Sequence, residues 1–253
     1  MRWPASCGEG ACLFERPHHR RVATVLLALD AERLASQGCL FGGGTAIALR
    51  YGEYRESVDI DFLVSRTEGY RTLRQWLTAP GGVANLARAG VALEPSRPVR
   101  ADQYGVRTML RVEGIDIKFE IVLEGRIELE PPGADDRVCG VATLTPLDLA
   151  TSKLLANSDR WADQAVLSRD LIDLAMMRPS RKLLRAALAK ARGAYGDSIE
   201  NDLAKAIDRL RGDPHRLDHC MRAMAMTTVP KAVLWARIKA LAAATGSRPP
   251  PPR

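Results

Sequence analysis

Two carboxylates, Asp59 and Asp61, alternate with apolar residues in the segment SVDIDFLV at positions 57–64. In a β-strand, residues i and i+2 point to the same face and lie about 6–7 Å apart along the chain. Like charges held this close repel each other, and a bound divalent cation offsets that repulsion. The spacing therefore fits a metal-binding pair, but a strand whose acids simply face solvent has the same pattern and is common.

Three glycines and a threonine precede this strand, at positions 42–45, between a short apolar segment and a predicted helix over 45–51. N–H groups at the start of a helix can hold phosphate oxygens, and Gly43 and Gly44 would let a phosphate approach the backbone closely. Thr45 would add a hydroxyl group. The alternative is a tight strand-to-helix turn that binds nothing. Because no lysine follows the glycines, a P-loop of the Walker type is not indicated.

Together the two motifs resemble the polymerase-β-like nucleotidyltransferase superfamily, and more narrowly the AbiEii/AbiGii-type nucleotidyltransferase toxins. The family signature is GGTAL followed by RxSxDxDF, and this chain has GGTAIALR at 43–50 and RESVDIDF at 55–62. Two further family motifs occur later in the chain. They are the lysine motif KLLA at 153–156, with an arginine seven residues after the lysine, and RDLIDL at 169–174.

The resemblance covers about residues 38–64 and 144–175, and it implies an α+β fold. An N-terminal polymerase-β-like nucleotidyltransferase domain with a small mixed sheet would be followed by a C-terminal helical domain. The implied reaction moves a nucleotide from an NTP to an acceptor hydroxyl and releases pyrophosphate. Mg²⁺ (or Mn²⁺) would be the cofactor, held by Asp59 and Asp61. The residues implied to bind the nucleotide are Gly43, Gly44, Thr45, Ser57 and Lys153.

A third carboxylate of the superfamily is expected on a strand beside residues 57–64, and the alternating segment IDIKFEIV at 115–122 suits it. Glu120 is the first choice, because IKFEI is similar to the family's Ile-Lys-apolar-acid-apolar stretch. Asp116 is the second choice. Glu120 is accordingly predicted to be a metal ligand together with the two aspartates of the first strand.

Lys153 and Arg160 lie on one face of a predicted helix, because their spacing of seven returns to the same side. Asp170 falls beside the apolar stripe of the next helix, where a carboxylate is costly unless it is paired. Lys153 is its predicted partner, and Asp173 is the next candidate if Asp170 faces solvent. The resemblance implies that Lys153 binds a triphosphate oxygen and that Asp170 orients Lys153 or assists proton transfer. A purely structural ion pair between two helices is the alternative.

The net charge of +7 is distributed unevenly along the 253 residues. Residues 181–253 contain 15 Lys and Arg against 6 Asp and Glu, whereas residues 1–180 contain 22 against 24. A basic surface attracts polyanions, which agrees with an RNA acceptor, although a solvated helical surface has the same composition. Aromatic residues make up only 5% of the chain, so charge rather than base stacking would carry an RNA contact.

The composition of the chain and its turn-forming residues predict four segments. They are a loose arm over 1–20, the nucleotidyltransferase domain over 21–144, a basic helical domain over 145–245 and a disordered proline-rich tail over 246–253. The first domain would open with one helix over 21–37, and it would contain strands over 105–112 and 115–123 and a polar loop over 128–138. Thr145-Pro146 is a typical helix start. The longest apolar run is too short to span a bilayer and lacks the flanks of a signal peptide. A cytoplasmic protein without a membrane partner is therefore expected.

The family resemblance implies the toxin of a toxin–antitoxin or phage-defence system, with tRNA as acceptor and a cognate antitoxin as partner. Two alternatives stay open. A small-molecule nucleotidyltransferase of the antibiotic-modifying type would need an acidic acceptor pocket, which the basic C-terminal part disfavours. An inactive RNA- or nucleotide-binding module would have no physical reason to keep Asp59, Asp61 and Lys153 together.

Overall fold

The computed structural model describes residues 14–244, and the chain divides into two compact units, Met1–Thr145 and Pro146–Arg253. The sequence predicted that the helical domain starts at residue 145. The predicted tail over 246–253 lies outside the described residues, as do residues 1–13 of the predicted arm. Among the described residues, no helix is long and apolar enough to cross a membrane.

The first unit is built on a five-stranded mixed sheet in the order β1-β2-β5-β4-β3. Strands β2 and β5 run parallel, and the other neighbouring pairs run antiparallel. The strands are β1 (Leu40–Phe41), β2 (Ile60–Val64), β3 (Arg100–Ala101), β4 (Gly105–Val112) and β5 (Ile115–Leu123). A separate hairpin consists of β6 (Arg137–Val138) and β7 (Val141–Ala142).

One face of this sheet forms the core of the first unit, because apolar residues occupy every second position of β2 and β5. The ring of Phe62 packs between those of Phe41 and Phe119, with centroid separations of 5.6 Å to each. Such tilted aromatic pairs add about 0.5–1.5 kcal/mol each beyond the area they bury. The same alternation directs the charged residues of both strands to the opposite face, where the candidate site lies.

The helices of the first unit differ from the prediction near the N-terminus. They are α1 (Pro17–Ala28), α2 (Ala31–Ser36), α3 (Gly43–Arg50) and α4 (Thr67–Thr78), with a 3-10 helix over Gly82–Leu86. The single helix over 21–37 is wrong, because Asp30 accepts a hydrogen bond from the Arg33 N–H and begins a second helix. The loose arm is wrong from residue 17 onward, since Pro17 takes the first position of α1.

The observed limits of the remaining strands and of α3 agree with the prediction in some elements and differ in others. Strands β4 and β5 have the predicted limits, because inward and outward residues alternate along most of each strand. The segment predicted as a strand from residue 57 pairs only from Ile60 onward, and α3 begins at Gly43 rather than near Thr45. The loop predicted over 128–138 ends in β6, the first strand of the small hairpin.

Within the described residues, all regular elements of the second unit are helices. They are α5 (Pro146–Arg160), α6 (Arg169–Met177), α7 (Arg181–Tyr195), α8 (Ser198–Gly212), α9 (Pro214–Ala223) and α10 (Lys231–Ala244). Helix α5 packs against α6, α7 and α8, and its buried face carries both leucines and charged residues. This unit therefore combines an apolar core with buried ion pairs.

Candidate active site

Strand β2 places Asp61 beside Glu120 of the parallel strand β5, because these two residues are register partners. Register partners on neighbouring strands point to the same face of the sheet, and such strands lie about 4.8 Å apart. The side chains of Asp61 and Glu120 therefore lie next to each other on the polar face. Asp59 precedes the first paired residue of β2 by one position. Burial lowers the pKa of Lys118, but its bond to Glu120, with smaller contributions from Asp61 and Asp59, outweighs burial and raises that pKa.

The glycine turn contacts the carboxylate strand directly. Gly43 has φ of +66°, a conformation that glycine adopts without strain. A Cβ atom at Gly43 would lie 2.5 Å from Oδ2 of Asp61, so only glycine lets this carboxylate lie against the turn. The Gly42 N–H also donates a 2.8 Å hydrogen bond to the backbone oxygen of Asp61. The two motifs of the sequence therefore meet at Asp61.

A second contact joins the two motifs through their hydroxyl groups. Thr45, in the first turn of α3, is almost fully buried and donates from Oγ1 to Oγ of Ser57 at 2.8 Å. Since a hydroxyl oxygen that accepts one bond still has its own proton, Ser57 can donate to an oxygen of a ligand. Gly44 lies beside Thr45 in the same helical turn. The N-cap Gly42 has no side chain to occupy the N–H groups of this turn.

Glu120 is bound by two cations that the sequence analysis did not assign. Its carboxylate accepts hydrogen bonds from Nε of Arg107 and Nζ of Lys118, the latter at 2.6 Å. Burial raises the pKa of Glu120, but the bonds from Lys118 and Arg107 outweigh it and hold the pKa below its usual value. The sequence could have identified Lys118 as a partner of Glu120, because the two residues are two positions apart on one strand. Arg107 is recognised as a partner only once the register between β4 and β5 is known.

The second choice for the third carboxylate, Asp116, stands four residues before Glu120 on β5 and pairs with Arg111. It is therefore not next to Asp61, and Glu120 is. Among residues 14–244, no three His, Cys, Asp or Glu side chains form a group that could hold a metal ion. The donor set that fits Mg²⁺ is the carboxylate pair Asp59 and Asp61, since Mg²⁺ takes oxygen ligands and commonly one or two carboxylates.

The second unit gathers the predicted residues of its two motifs into one buried cluster. Lys153 Nζ lies 3.0 Å from Oδ1 of Asp170 and 2.8 Å from Oδ2 of Asp173. Arg160 donates from Nε and Nη2 to the two carboxylate oxygens of Asp170, at 2.7 and 2.9 Å. The predicted pairing of Lys153 with Asp170 is confirmed, and Asp173 joins it rather than replacing it.

Burial raises the pKa of Asp170, but Lys153 and Arg160 outweigh burial and lower the pKa below its ordinary value. All of Asp170, Asp173 and Lys153 are shielded from solvent, with side-chain exposures of 2%, 0% and 7%. Two cations and two carboxylates therefore balance within the cluster. Such an arrangement is costly to break at any single member.

A sequence model of the family described as "Nucleotidyl transferase AbiEii toxin, Type IV TA system" matches residues 25–243. The chain belongs to this family. It is therefore a nucleotidyltransferase of the AbiEii toxin type, and a cognate antitoxin is the other component of such a system.

Two solved structures from Helicobacter pylori are similar to this member of the AbiEii family. One is a candidate nucleotidyltransferase with 15% identity, covering 91% of this chain and 96% of its own, at a TM-score of 0.49. The other, JHP933, has 17% identity and covers 88% of this chain and 90% of its own, at a TM-score of 0.47. No protein with a curated description matches the sequence significantly.

Proposed function

We propose that this AbiEii-family chain transfers a nucleotide from an NTP to a hydroxyl of an RNA, with tRNA as the expected acceptor, in the cytoplasm. The acceptor oxygen forms a bond to the α-phosphorus, and the bond from that phosphorus to pyrophosphate breaks. The observation that carries the proposal is the packing of Asp61 against Gly43. It brings a carboxylate that suits a metal to a turn that suits a phosphate.

Mg²⁺ or Mn²⁺, when bound, would neutralise charge on the triphosphate and activate the attacking oxygen. Asp59 and Asp61 would hold the metal ion. The N–H groups of Gly43 and Gly44 and the hydroxyls of Thr45 and Ser57 would bind the departing phosphates. Glu120 as a third ligand stays a prediction, and it would require the carboxylate to exchange a bond with Arg107 or Lys118 for the metal.

The role proposed for the second unit's Lys153 is to stabilise the charge that develops on pyrophosphate, with Asp170 as its positioning residue. Support comes from the family motif and from the confirmed pair with Asp170. Asp173 and Arg160 complete the charge balance of the cluster. The alternative is a purely structural cluster, whose loss would affect stability and activity together.

The assay that tests the proposal incubates the protein with each labelled NTP, with Mg²⁺ or Mn²⁺, and with total tRNA or a small-molecule hydroxyl acceptor of the antibiotic class. Label in full-length tRNA, dependent on the metal and accompanied by pyrophosphate, is the expected result. Label in a small-molecule acceptor only would support the antibiotic-modifying alternative. NTP and tRNA binding without transfer, in Mg²⁺ and in Mn²⁺, would support the inactive binding module.

Replacing Gly43 by alanine is expected to reduce transfer about a hundredfold. The new Cβ would overlap Oδ2 of Asp61 and force this carboxylate away from the turn. The matched control is Gly114→Ala, because Gly114 has φ of +77° but no atom within 4 Å of an added Cβ. Alanine at either position adds backbone strain of about 1–2 kcal/mol and should lower the melting temperature similarly. Only Gly43→Ala should lose more activity than this loss of stability explains. Equal activity of the two variants would contradict the assigned role of the turn.

The basic second unit is expected to bind the RNA through cations whose charge is not neutralised locally. Arg181, Lys182 and Arg185 are exposed on the first turns of α7, and in the described residues no ion pair involves them. The triple reversal to glutamate should weaken tRNA binding at least about tenfold and lower the salt slope by up to about three.

The same triple variant should leave NTP binding unchanged, as measured by nucleotide titration. Its control is the reversal of Arg20, Arg71 and Arg74, three exposed arginines of the first unit. Binding of tRNA that does not respond to salt, or equal losses in both triple variants, would contradict an RNA contact on α7.

A further inference from the structure

The backbone immediately before Asp59 contacts helix α1. The paired part of β2 begins at Ile60, so Asp59 stands just before the region whose geometry the sheet fixes. Asp61, in contrast, lies within the ladder and is also bonded to Gly42. The direction of the Asp59 carboxylate therefore depends on what holds the two preceding residues, Ser57 and Val58.

Two consecutive histidines of α1 hold these residues. Nε2 of His18 donates to the backbone oxygen of Val58 at 3.0 Å, and Nε2 of His19 accepts the Ser57 N–H at 3.1 Å. Since a backbone N–H can only donate, Nε2 of His19 carries no proton. Its other nitrogen, Nδ1, then donates to Oε1 of Glu53 at 2.7 Å. Helix α1 thus binds the Ser57 N–H and the Val58 carbonyl, the backbone groups on either side of the Ser57–Val58 peptide link.

Glu53 and the start of α1 hold His19 in place. The Glu53 carboxylate accepts the N–H groups of Glu15 and Arg16, and Nε of Arg16 donates to the Glu53 backbone oxygen at 2.9 Å. His19 has an exposure of 0%. Burial lowers the pKa of His19 against the opposing effect of Glu53, which agrees with a neutral ring at pH 7.

We propose that His18 and His19 are positioning residues for Asp59, and that they set its carboxylate for metal binding together with Asp61. The inference rests on the proposed function. Both histidines precede residues 25–243, the part of the chain that the family model matches. Partners that orient metal ligands typically contribute about ten- to a hundredfold to metal affinity, which sets the size of the expected effect.

Two substitutions of His19 separate its two hydrogen bonds. In His19→Gln, the longer amide reaches the place of Nε2 and its oxygen can still accept the Ser57 N–H. In His19→Asn, the shorter amide matches Nδ1, so it can still donate to Glu53 but leaves Ser57 unpaired. We expect His19→Asn to weaken Mn²⁺ binding at least about tenfold in calorimetric titration, and His19→Gln to retain it. At saturating NTP, kcat should fall in the asparagine variant with little change in KM.

Three further variants complete the experiment. Arg20→Gln, exposed on the same helix, should bind Mn²⁺ as the wild type does. If His19→Asn does not fold, the partly exposed His18 offers a second pair: His18→Gln keeps the donor to Val58, whereas His18→Ala removes it. Hydrogen exchange of the peptide over 54–62 should rise only in His18→Ala and His19→Asn, because only these free the Ser57–Val58 backbone.

The outcomes distinguish this inference from the proposed function. If Asp59→Asn weakens Mn²⁺ binding but the folded variants His19→Asn and His18→Ala do not, the positioning role is overturned while the metal site stands. If both His19 variants lose Mn²⁺ affinity equally and in proportion to their melting temperatures, the role of His19 is purely structural. If Asp59→Asn binds Mn²⁺ as tightly as the wild type, the metal assignment fails and the positioning role fails with it.

Discussion

Replacing Asp61 by asparagine is expected to reduce the rate of nucleotidyl transfer by about a hundredfold or more without unfolding the protein. The change removes one negative charge that would offset the metal at the reacting phosphate. It preserves the volume of the side chain, which matters because Gly43 packs directly against it. The loss should therefore appear in kcat/KM and in Mn²⁺ affinity, and the melting temperature should change little.

Asp59→Asn should behave in the same way, because the proposed mechanism needs both carboxylates. The matched control is Asp116→Asn, which neutralises an acid on the same polar face, four residues from Glu120 and paired with Arg111. Transfer is measured with labelled NTP and tRNA for all three variants. A folded Asp59 or Asp61 variant that keeps most of the wild-type activity would refute the two-carboxylate mechanism.

The sequence predicted the carboxylate strand and its neighbour because their patterns are local. Strands β4 and β5 have the predicted limits, since each alternates over most of its length and a one-residue shift would expose its apolar face. The same alternation put Asp61 and Glu120 on one face. The register between β2 and β5 makes Glu120, and not Asp116, the neighbour of Asp61. This agrees with Glu120 as the first choice for the third carboxylate.

Other features could not be predicted because they depend on contacts between distant residues. The apolar spacing continues through Leu29, so only the cap formed by Asp30 reveals that one predicted helix is two. The histidines of α1 act on residues 38 to 40 positions away, and nothing in their own segment indicates this. Arg107 bonds to Glu120 from the neighbouring strand, and the pattern within one strand does not show which residues of two strands are register partners.

Asp170→Asn is expected to destabilise the second unit by about 3–5 kcal/mol, because it removes one charge from a buried, balanced cluster. Lys153 would keep Asp173, but the guanidinium of Arg160 would lose its two-point contact with a carboxylate. The folded state lowers the pKa of Asp170, so its stabilisation is fully present above about pH 5. It is lost only as the pH falls through that lowered pKa.

Calorimetry at pH 7 measures this loss as a lower transition temperature of the second unit. The control is Asp208→Asn, which breaks the exposed pair with Arg211 and should leave the transition where it is, since exposed pairs contribute little. An unchanged transition in Asp170→Asn would mean that the cluster does not stabilise the fold. Lys153→Met alone should cost at least as much as Asp170→Asn, because it leaves two buried carboxylates facing each other.

A triple variant, Lys153→Met with Asp170→Asn and Asp173→Asn, separates stability from catalysis. Replacing buried, mutually paired charges together by neutral side chains is often nearly neutral for stability, so the transition temperature should recover relative to either single variant. If Lys153 stabilises the departing pyrophosphate, as proposed, transfer should stay about a hundredfold below the wild type even though the fold has recovered. Arg160, whose side chain is 36% exposed, can turn to solvent and is left unchanged. Activity that returns together with stability would show that the cluster only joins two helices and that Lys153 has no part in the reaction.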